Sequence, residues 1–190
     1  MRAGVLALQG DFREHAAALA RLGAEPVPVR RPEELEGLAA LVVPGGESTA
    51  IGLLAERHGL VEPLRGLLAA GLPTLGTCAG MIFLARETTG SREQIQLGVL
   101  DVVVDRNAFG RQVASFETDL AVEGMTEPVH AVFIRAPRVH RVGPGVEVLA
   151  SVDGRPVMVR QGNLLATAFH PELTDDLRIH RLLLQIAGDH

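Results

Sequence analysis

The sequence has no Lys, no Trp and no Tyr, and a single Cys, among its 190 residues. Without Lys, neither a lysine Schiff base nor a phosphate-loop lysine is available. One Cys excludes an internal disulfide and fits a reducing compartment; the thiol is either a small buried hydrophobe or a reactive group. All 18 basic residues are Arg, and against 23 acidic residues they leave a formal charge of -5. That is the wrong sign for a chain that gathers a phosphate backbone, so nucleic acid is not an expected partner. Charge is also missing from Gly66 to Ala85, a length that could cross a bilayer. The stretch is broken by Gly66, Gly71, Pro73, Gly76 and Gly80, and reads instead as helix end, turn, buried strand, turn and helix start. The first apolar run, Ala3 to Leu8, is too short and wrongly closed for a signal peptide. The expectation is a cytoplasmic chain with no membrane partner.

What is present is an ordinary globular composition, 47% hydrophobic and 22% charged, with no repeat, linker or low-complexity stretch. A single domain over residues 1–190 follows, large enough to bury roughly 70% of its unfolded surface. In the first half, strand-like runs at Ala3–Leu8, Val27–Val29, Leu38–Val43 and Pro73–Thr77 alternate with helical patterns. The helices begin at an Asp11/Glu14 capping box, at Ser48 (running to Arg57), at Val61 (to Ala70) and at Ala79 (to Glu87). Such alternation predicts right-handed crossovers and a largely parallel sheet covered on both faces. The second half changes texture. Leu97–Asp105, Thr118–Val122, Val129–Ile134, Val146–Val152, Pro156–Gln161 and Leu164–Phe169 are β-rich, and those near the middle suggest an antiparallel extension or edge. Thr174-Asp175-Asp176 then caps a last helix, Leu177–Ala187.

Three local patterns carry chemistry. Gly76-Thr77-Cys78-Ala79-Gly80 joins an apolar strand to a helix, the nucleophile-elbow pattern with Cys in place of Ser. Small residues at minus two and plus two let the chain turn sharply, and the amides opening the helix favour negative charge on the sulfur. A thiolate nucleophile needs a base, and the base an orienting group. His170-Pro171-Glu172 supplies both: Pro171 biases His170 towards extended backbone, where residues two apart project to one side. By chance such a tripeptide is expected roughly 0.03 times in a chain of this composition. His15, His58, His130, His140, His180 and His190 lack that spacing and setting; His15 and His58 fall in helices, and His130 and His140 are the competitors for the base. Acyl chemistry also needs an oxyanion hole. Pro44-Gly45-Gly46-Glu47-Ser48-Thr49 ends the third strand at the same sheet edge, so Gly45 and Gly46, with the Ala79 N–H, are the candidates; the same turn also serves as a helix cap. No Cys-His cluster or His-Glu-x-x-His pattern occurs, so no metal is expected. No cofactor is expected either.

The Cys elbow, the Pro-Gly-Gly turn one strand earlier and the late His-Pro-Glu together resemble the class I, triad-type glutamine amidotransferases. Within that superfamily the sequence is similar to the glutaminase subunits of pyridoxal 5′-phosphate synthases. The likeness is carried by Leu8-Gln9-Gly10-Asp11-Phe12, Pro44–Thr49, Gly76–Gly80, Asp105–Gln112 with Ser115-Phe116-Glu117, Phe133–Pro137 and Ala168–Glu172. It spans residues 4 to 187, and the block around Arg106 is its specific part. The resemblance implies an α/β fold, a three-layer α/β/α sandwich with a mostly parallel mixed central sheet of flavodoxin-like type. It implies hydrolysis of L-glutamine to L-glutamate and ammonia, with Cys78 attacking the amide, His170 protonating the leaving ammonia and Glu172 completing the triad through a glutamyl thioester. Glutamine would be held at Gly46, Glu47, Ser48, Arg106, Ile134 and Arg135, and Gln9 and Gly10 would lie near the partner contact. The implied partner is a dodecameric TIM-barrel synthase subunit. It would use the ammonia, with ribose 5-phosphate and glyceraldehyde 3-phosphate, to make pyridoxal 5′-phosphate, and the chain would be nearly inactive without it. Three readings compete with this one: a Cys-elbow hydrolase or stress-protein relative, another amidotransferase specificity, and an interaction subunit whose Cys78 is structural.

Overall fold

A computed structural model describes residues 1–90, 94–106 and 115–188. The first half builds β1 (Arg2–Leu6), α1 (Phe12–Arg21), β2 (Glu25–Val29), β3 (Ala40–Val43), α2 (Ser48–Arg57), α3 (Val61–Ala69), β4 (Thr74–Thr77) and α4 (Ala79–Leu84). Every residue of β3 and β4 is buried, as expected for interior parallel strands covered on both faces. The second half adds β5 (Ala85–Thr89), β6 (Leu100–Asp105), β7 (Ser115–Leu120), β8 (Val129–Ile134), β9 (Arg138–Val142), β10 (Glu147–Val152), β11 (Arg155–Gln161), β12 (Leu164–Thr167) and α5 (Arg178–Gly188).

Seven strands form the central sheet in the order β10-β11-β12-β4-β3-β1-β2. The five from β12 to β2 run parallel, and β10 and β11 add an antiparallel edge. This is the mixed, mostly parallel sheet of an α/β fold. In register, Val43 faces Gly76 and Thr77 faces Thr167, so β3, β4 and β12 end together. The order reverses between β1 and β3, and crevices at such switch points are where open α/β sheets hold ligands.

Several expectations need correcting. The antiparallel edge comes from the late strands; the middle ones form two separate small sheets, β5-β6-β9 and the β7-β8 pair. The helix expected from Ala79 to Glu87 stops at Leu84, because Ala85–Thr89 pairs in parallel with β6, and that pairing overrides the helix propensity of Ala, Arg and Glu. Strand β9 has no counterpart among the expected strands: its Arg-Val-His-Arg-Val sequence is too polar to stand out, and it is held by β6. Asp11 occupies the N-cap position of α1 without making a side-chain cap bond. At α2 the capping side chain is that of Glu47, accepting from the N–H groups of Thr49 (3.0 Å) and Ala50 (2.8 Å), and not that of Ser48. Phe133 on β8 packs between Phe116 (4.4 Å, stacked) and Phe169 (5.6 Å), which anchors the β7-β8 pair beside the end of β12.

Candidate active site

Cys78 sits at the end of β4, where its N–H donates to the Thr167 carbonyl (2.8 Å) and so ties the elbow to β12. Its backbone is left-handed, φ 48° and ψ -105°, a conformation that costs about 1–3 kcal/mol in a residue with a side chain. The turn closes against β3: a Cβ on Gly80 would stand 2.0 Å from the Val43 carbonyl oxygen, so only glycine lets α4 start there. Ala79 opens α4, and its N–H is one of the first-turn amides that have no intrahelical acceptor. Opposite, the Ile134 carbonyl oxygen lies 3.8 Å from the Cys78 sulfur.

His170 follows β12 and is fixed through its N–H to the Val132 carbonyl (2.9 Å). Its Nδ1 is 2.7 Å from Glu172 Oε1, and Cys78 acts on the same ring. Glu172 arrives by a different route from the one expected: Pro171–Leu173 is a turn of 3-10 helix, not a continuing strand, and the turn brings the carboxylate round to the ring. Burial of His170 works against its charge, but the hydrogen bonds to Cys78 and Glu172 outweigh it and raise its pKa to about 10. Burial pushes the Glu172 carboxyl above its usual range, and the His170 bond pulls it partly back. The arrangement is a thiol, an imidazole held in its charged form and a carboxylate orienting that imidazole, as nucleophilic acyl transfer requires. Gly45 belongs to the same wall: a Cβ there would stand 2.6 Å from His170 Cε1.

The rim is assembled differently. Glu47 Oε1 pairs with Arg106 Nη2 at 3.3 Å while its carboxylate also caps α2, and Arg106 and the helix amides hold it below its ordinary pKa against a burial effect of opposite sign. Ser48 Oγ donates to Gln94 Oε1 (3.0 Å). Gln9 Oε1 accepts from the Glu47 N–H (2.6 Å), so the loop after β1 latches the turn after β3 that contains Gly46. Gly10 is in the same loop. Ile134 and Arg135 are exposed at the end of β8, Arg135 in left-handed backbone at φ 45°. Asn107 to Gln112 of the motif around Arg106 lie outside the described residues.

Of the remaining histidines, His130 is exposed between Glu117 and Asp119, away from Cys78. His15 is different. It is fully buried, with Nε2 3.1 Å from Thr77 Oγ1 and 3.3 Å from Glu172 Oε2, and Nδ1 2.8 Å from His180 Nε2. Its only signal in the sequence is a His at position 15 in step with Ala18 and Leu19 on the apolar face of α1. Asp11 also reaches the triad, Oδ2 lying 3.6 Å from His170 Nδ1.

Comparison with known proteins agrees with this geometry. The chain matches the SNO glutamine amidotransferase family over residues 5–187. It is 62% identical over 186 residues to the pyridoxal 5′-phosphate synthase subunit PdxT of Thermus thermophilus, covering 97% of both chains. It is 61% identical over 185 residues to the PdxT subunit of Mycolicibacterium vanbaalenii, covering 95% of both. A solved glutamine amidotransferase superposes with a TM-score of 0.94 at 59% identity, over 98% of each chain. A GMP synthase subunit from Thermoplasma acidophilum, at 19% identity and a TM-score of 0.71 over 100% of this chain and 94% of its own, shares the fold. With a full-length match at this identity and a Cys elbow facing a His-Glu pair, the chain belongs to the SNO glutamine amidotransferase family.

Proposed function

We propose that this chain is the glutaminase subunit of a pyridoxal 5′-phosphate synthase, acting as one domain in the cytoplasm. The observation that carries the reading is the elbow itself: Cys78 in strained left-handed backbone, beside a His170 whose Nδ1 is 2.7 Å from Glu172. The Cys78 thiolate attacks the side-chain amide carbon of L-glutamine, and the oxyanion is received by the N–H groups of Ala79 and the Gly45–Gly46 turn. His170 gives its proton to the departing nitrogen, the C–N bond breaks, ammonia leaves and a glutamyl thioester remains. Water, deprotonated by His170, attacks the thioester and releases L-glutamate and the sulfur. Glu172 holds the ring and balances its charge throughout.

Recognition falls to the rim. Arg106 and Arg135 suit the α-carboxylate of glutamine, and Glu47 with the Ile134 carbonyl suits its α-ammonium, with Ser48 and Gly46 flanking. Two of these groups, Glu47 and Arg106, are paired with each other, so binding exchanges that pair for contacts with the ligand. Relatives named as synthase subunits support a partner that consumes the ammonia, a dodecameric TIM-barrel synthase docking near Gln9 and Gly10. The test is ammonia release from glutamine by the purified chain with and without that synthase, with Cys78→Ala as control. Release that requires both the partner and Cys78, and falls by about a thousandfold in the variant, is the expected result. No release from the complex would overturn the assignment.

A further inference from the structure

The triad carboxylate has two oxygens, and only one is explained by the chemistry above. Oε1 faces His170; Oε2 is buried, has no hydrogen-bond partner among the described residues, and faces His15 Nε2 at 3.3 Å. His15 is itself fully buried, and its Nδ1 lies 2.8 Å from Nε2 of His180, which is also fully buried. Among the described residues His180 Nδ1 has no partner. Two imidazoles from helices 165 residues apart in sequence thus stand end to end behind Glu172.

The proton positions in this row are constrained. Burial, first of all, drives the pKa of both rings down, His15 well below its ordinary value and His180 to about 4, so each ring is neutral and carries one N–H. If His15 carried its proton on Nδ1, its bare Nε2 would face the carboxylate oxygen, and the ring N–H of His180 would be left on the unpartnered Nδ1, a buried donor with no acceptor. The opposite assignment removes both penalties. His180 Nε2–H donates to His15 Nδ1, and His15 Nε2–H points at Thr77 Oγ1 with Glu172 Oε2 beside it at 3.3 Å, so that the positive edge of the ring faces the carboxylate and a lone pair on His180 Nδ1 is left unused. Thr77 immediately precedes the nucleophile, so the same N–H borders both ends of the triad.

We propose that His15, oriented by His180, is a positioning residue for the triad. Its Nε2–H edge, 3.3 Å from Oε2, favours the Glu172 carboxylate over the carboxylic acid with Oε1 kept on His170, a role no local motif reveals. The groups facing Glu172 are His170 and His15, with Asp11 (3.6 Å from His170 Nδ1) and Cys78 adjoining; His180 faces His15. Removing the Nε2–H leaves the carboxylate less favoured, so protonation of Glu172 begins at higher pH. The inference rests on the triad reading given above, but two of its measurements need no glutamine and no partner.

The first is the tautomer of His15 in the wild-type chain by nitrogen NMR: a protonated Nε2 with a bare Nδ1 is expected, and the reverse tautomer overturns the proposal whatever the variants do. The second is the pH dependence of Cys78 alkylation by iodoacetamide. In His15→Phe, which keeps a flat ring but has no N–H, the acid limb should move up by about one pH unit, and in His15→Gln, whose amide N–H reaches the same place, it should return towards wild type. The third is kcat for glutamine in the complex with the synthase. It should fall tenfold or more in His15→Phe with little change in KM, recover in His15→Gln, and fall less in His180→Phe. A folded His15→Phe with an unmoved acid limb and kcat within twofold of wild type would overturn the role. If no glutamine is turned over by any form while the tautomer and alkylation results hold, the proposed substrate fails and the positioning role stands.

Discussion

The two sides of the active-site crevice are built on different principles. On the side of Cys78, His170 and Glu172, the side chains are buried, and beside the local contact of His170 with Glu172 they are oriented by Thr167, Val132 and His15, which are distant in sequence. On the rim, Glu47 and Arg135 are exposed, and Glu47 and Arg106 satisfy each other across 3.3 Å. His170 holds a proton to about 10 against its own burial, because Cys78 and the Glu172 carboxylate beside it favour the charged ring. A part-exposed pair such as Glu47 and Arg106 contributes only about 0–1 kcal/mol, so a ligand bearing both charges displaces it at small cost. The reacting groups are set in advance, and the rim groups proposed to recognise glutamine are left exchangeable.

The sharpest way to break this contrast is Glu172→Gln, which keeps the shape of the buried side and removes its charge. Turnover of glutamine by the complex should drop about 10²- to 10⁴-fold, and the alkaline limb, set in wild type by His170 losing its proton near 10, should move to lower pH. An unchanged limb would show that the carboxylate does not support the imidazolium.

Acid titration of stability comes next. His180 is depressed to about 4 in the folded chain, against an ordinary value of 6.5. Its contribution is complete above pH 6.5 and is lost as pH falls towards 4, because over that window the unfolded chain binds a proton that the native one refuses. The loss is roughly 3 kcal/mol, and urea midpoints measured across the window should fall more steeply for wild type than for His180→Phe.

The rim should give smaller and differently shaped effects. Arg106→Ala should raise KM for glutamine about tenfold while leaving kcat within a few-fold, as befits a contact made equally in the ground and transition states. A fall in kcat without a change in KM would move Arg106 to the reacting side. The smallest effect expected is that of Glu47→Ala on the free chain. Losing the α2 cap costs about 1 kcal/mol, a fall in Tm of about 2–4 °C by calorimetry.

The same contrast sets what the sequence could disclose. The elbow and the His-Pro-Glu are legible because each packs its requirement into five residues or fewer, and the alternation of β1 to β4 with helices is legible because short, mostly apolar runs such as Ala40–Val43 are separated by helical patterns. The partner of Glu172 Oε2 is not legible: His15 and His180 meet only when α1 and α5 pack together, and no spacing links residues so far apart. The same holds at Ala85–Thr89, where the β6 pairing and not the local residues decides the conformation. Glu47 is only half legible because one carboxylate serves two purposes, and Ser48 is the better cap by propensity alone.

The position of β12 sets when the active site can exist. Residues 164–167 are inserted between β4 and β11, and the Cys78 N–H is bonded to Thr167, so the centre of the sheet stays open until β12 has been made. A nascent chain ending before β12 holds the nucleophile without its base, and the long-range closure that unites them makes folding slow relative to a chain of local contacts. The thiol is therefore made long before its base, and meets it only once β12 is in place.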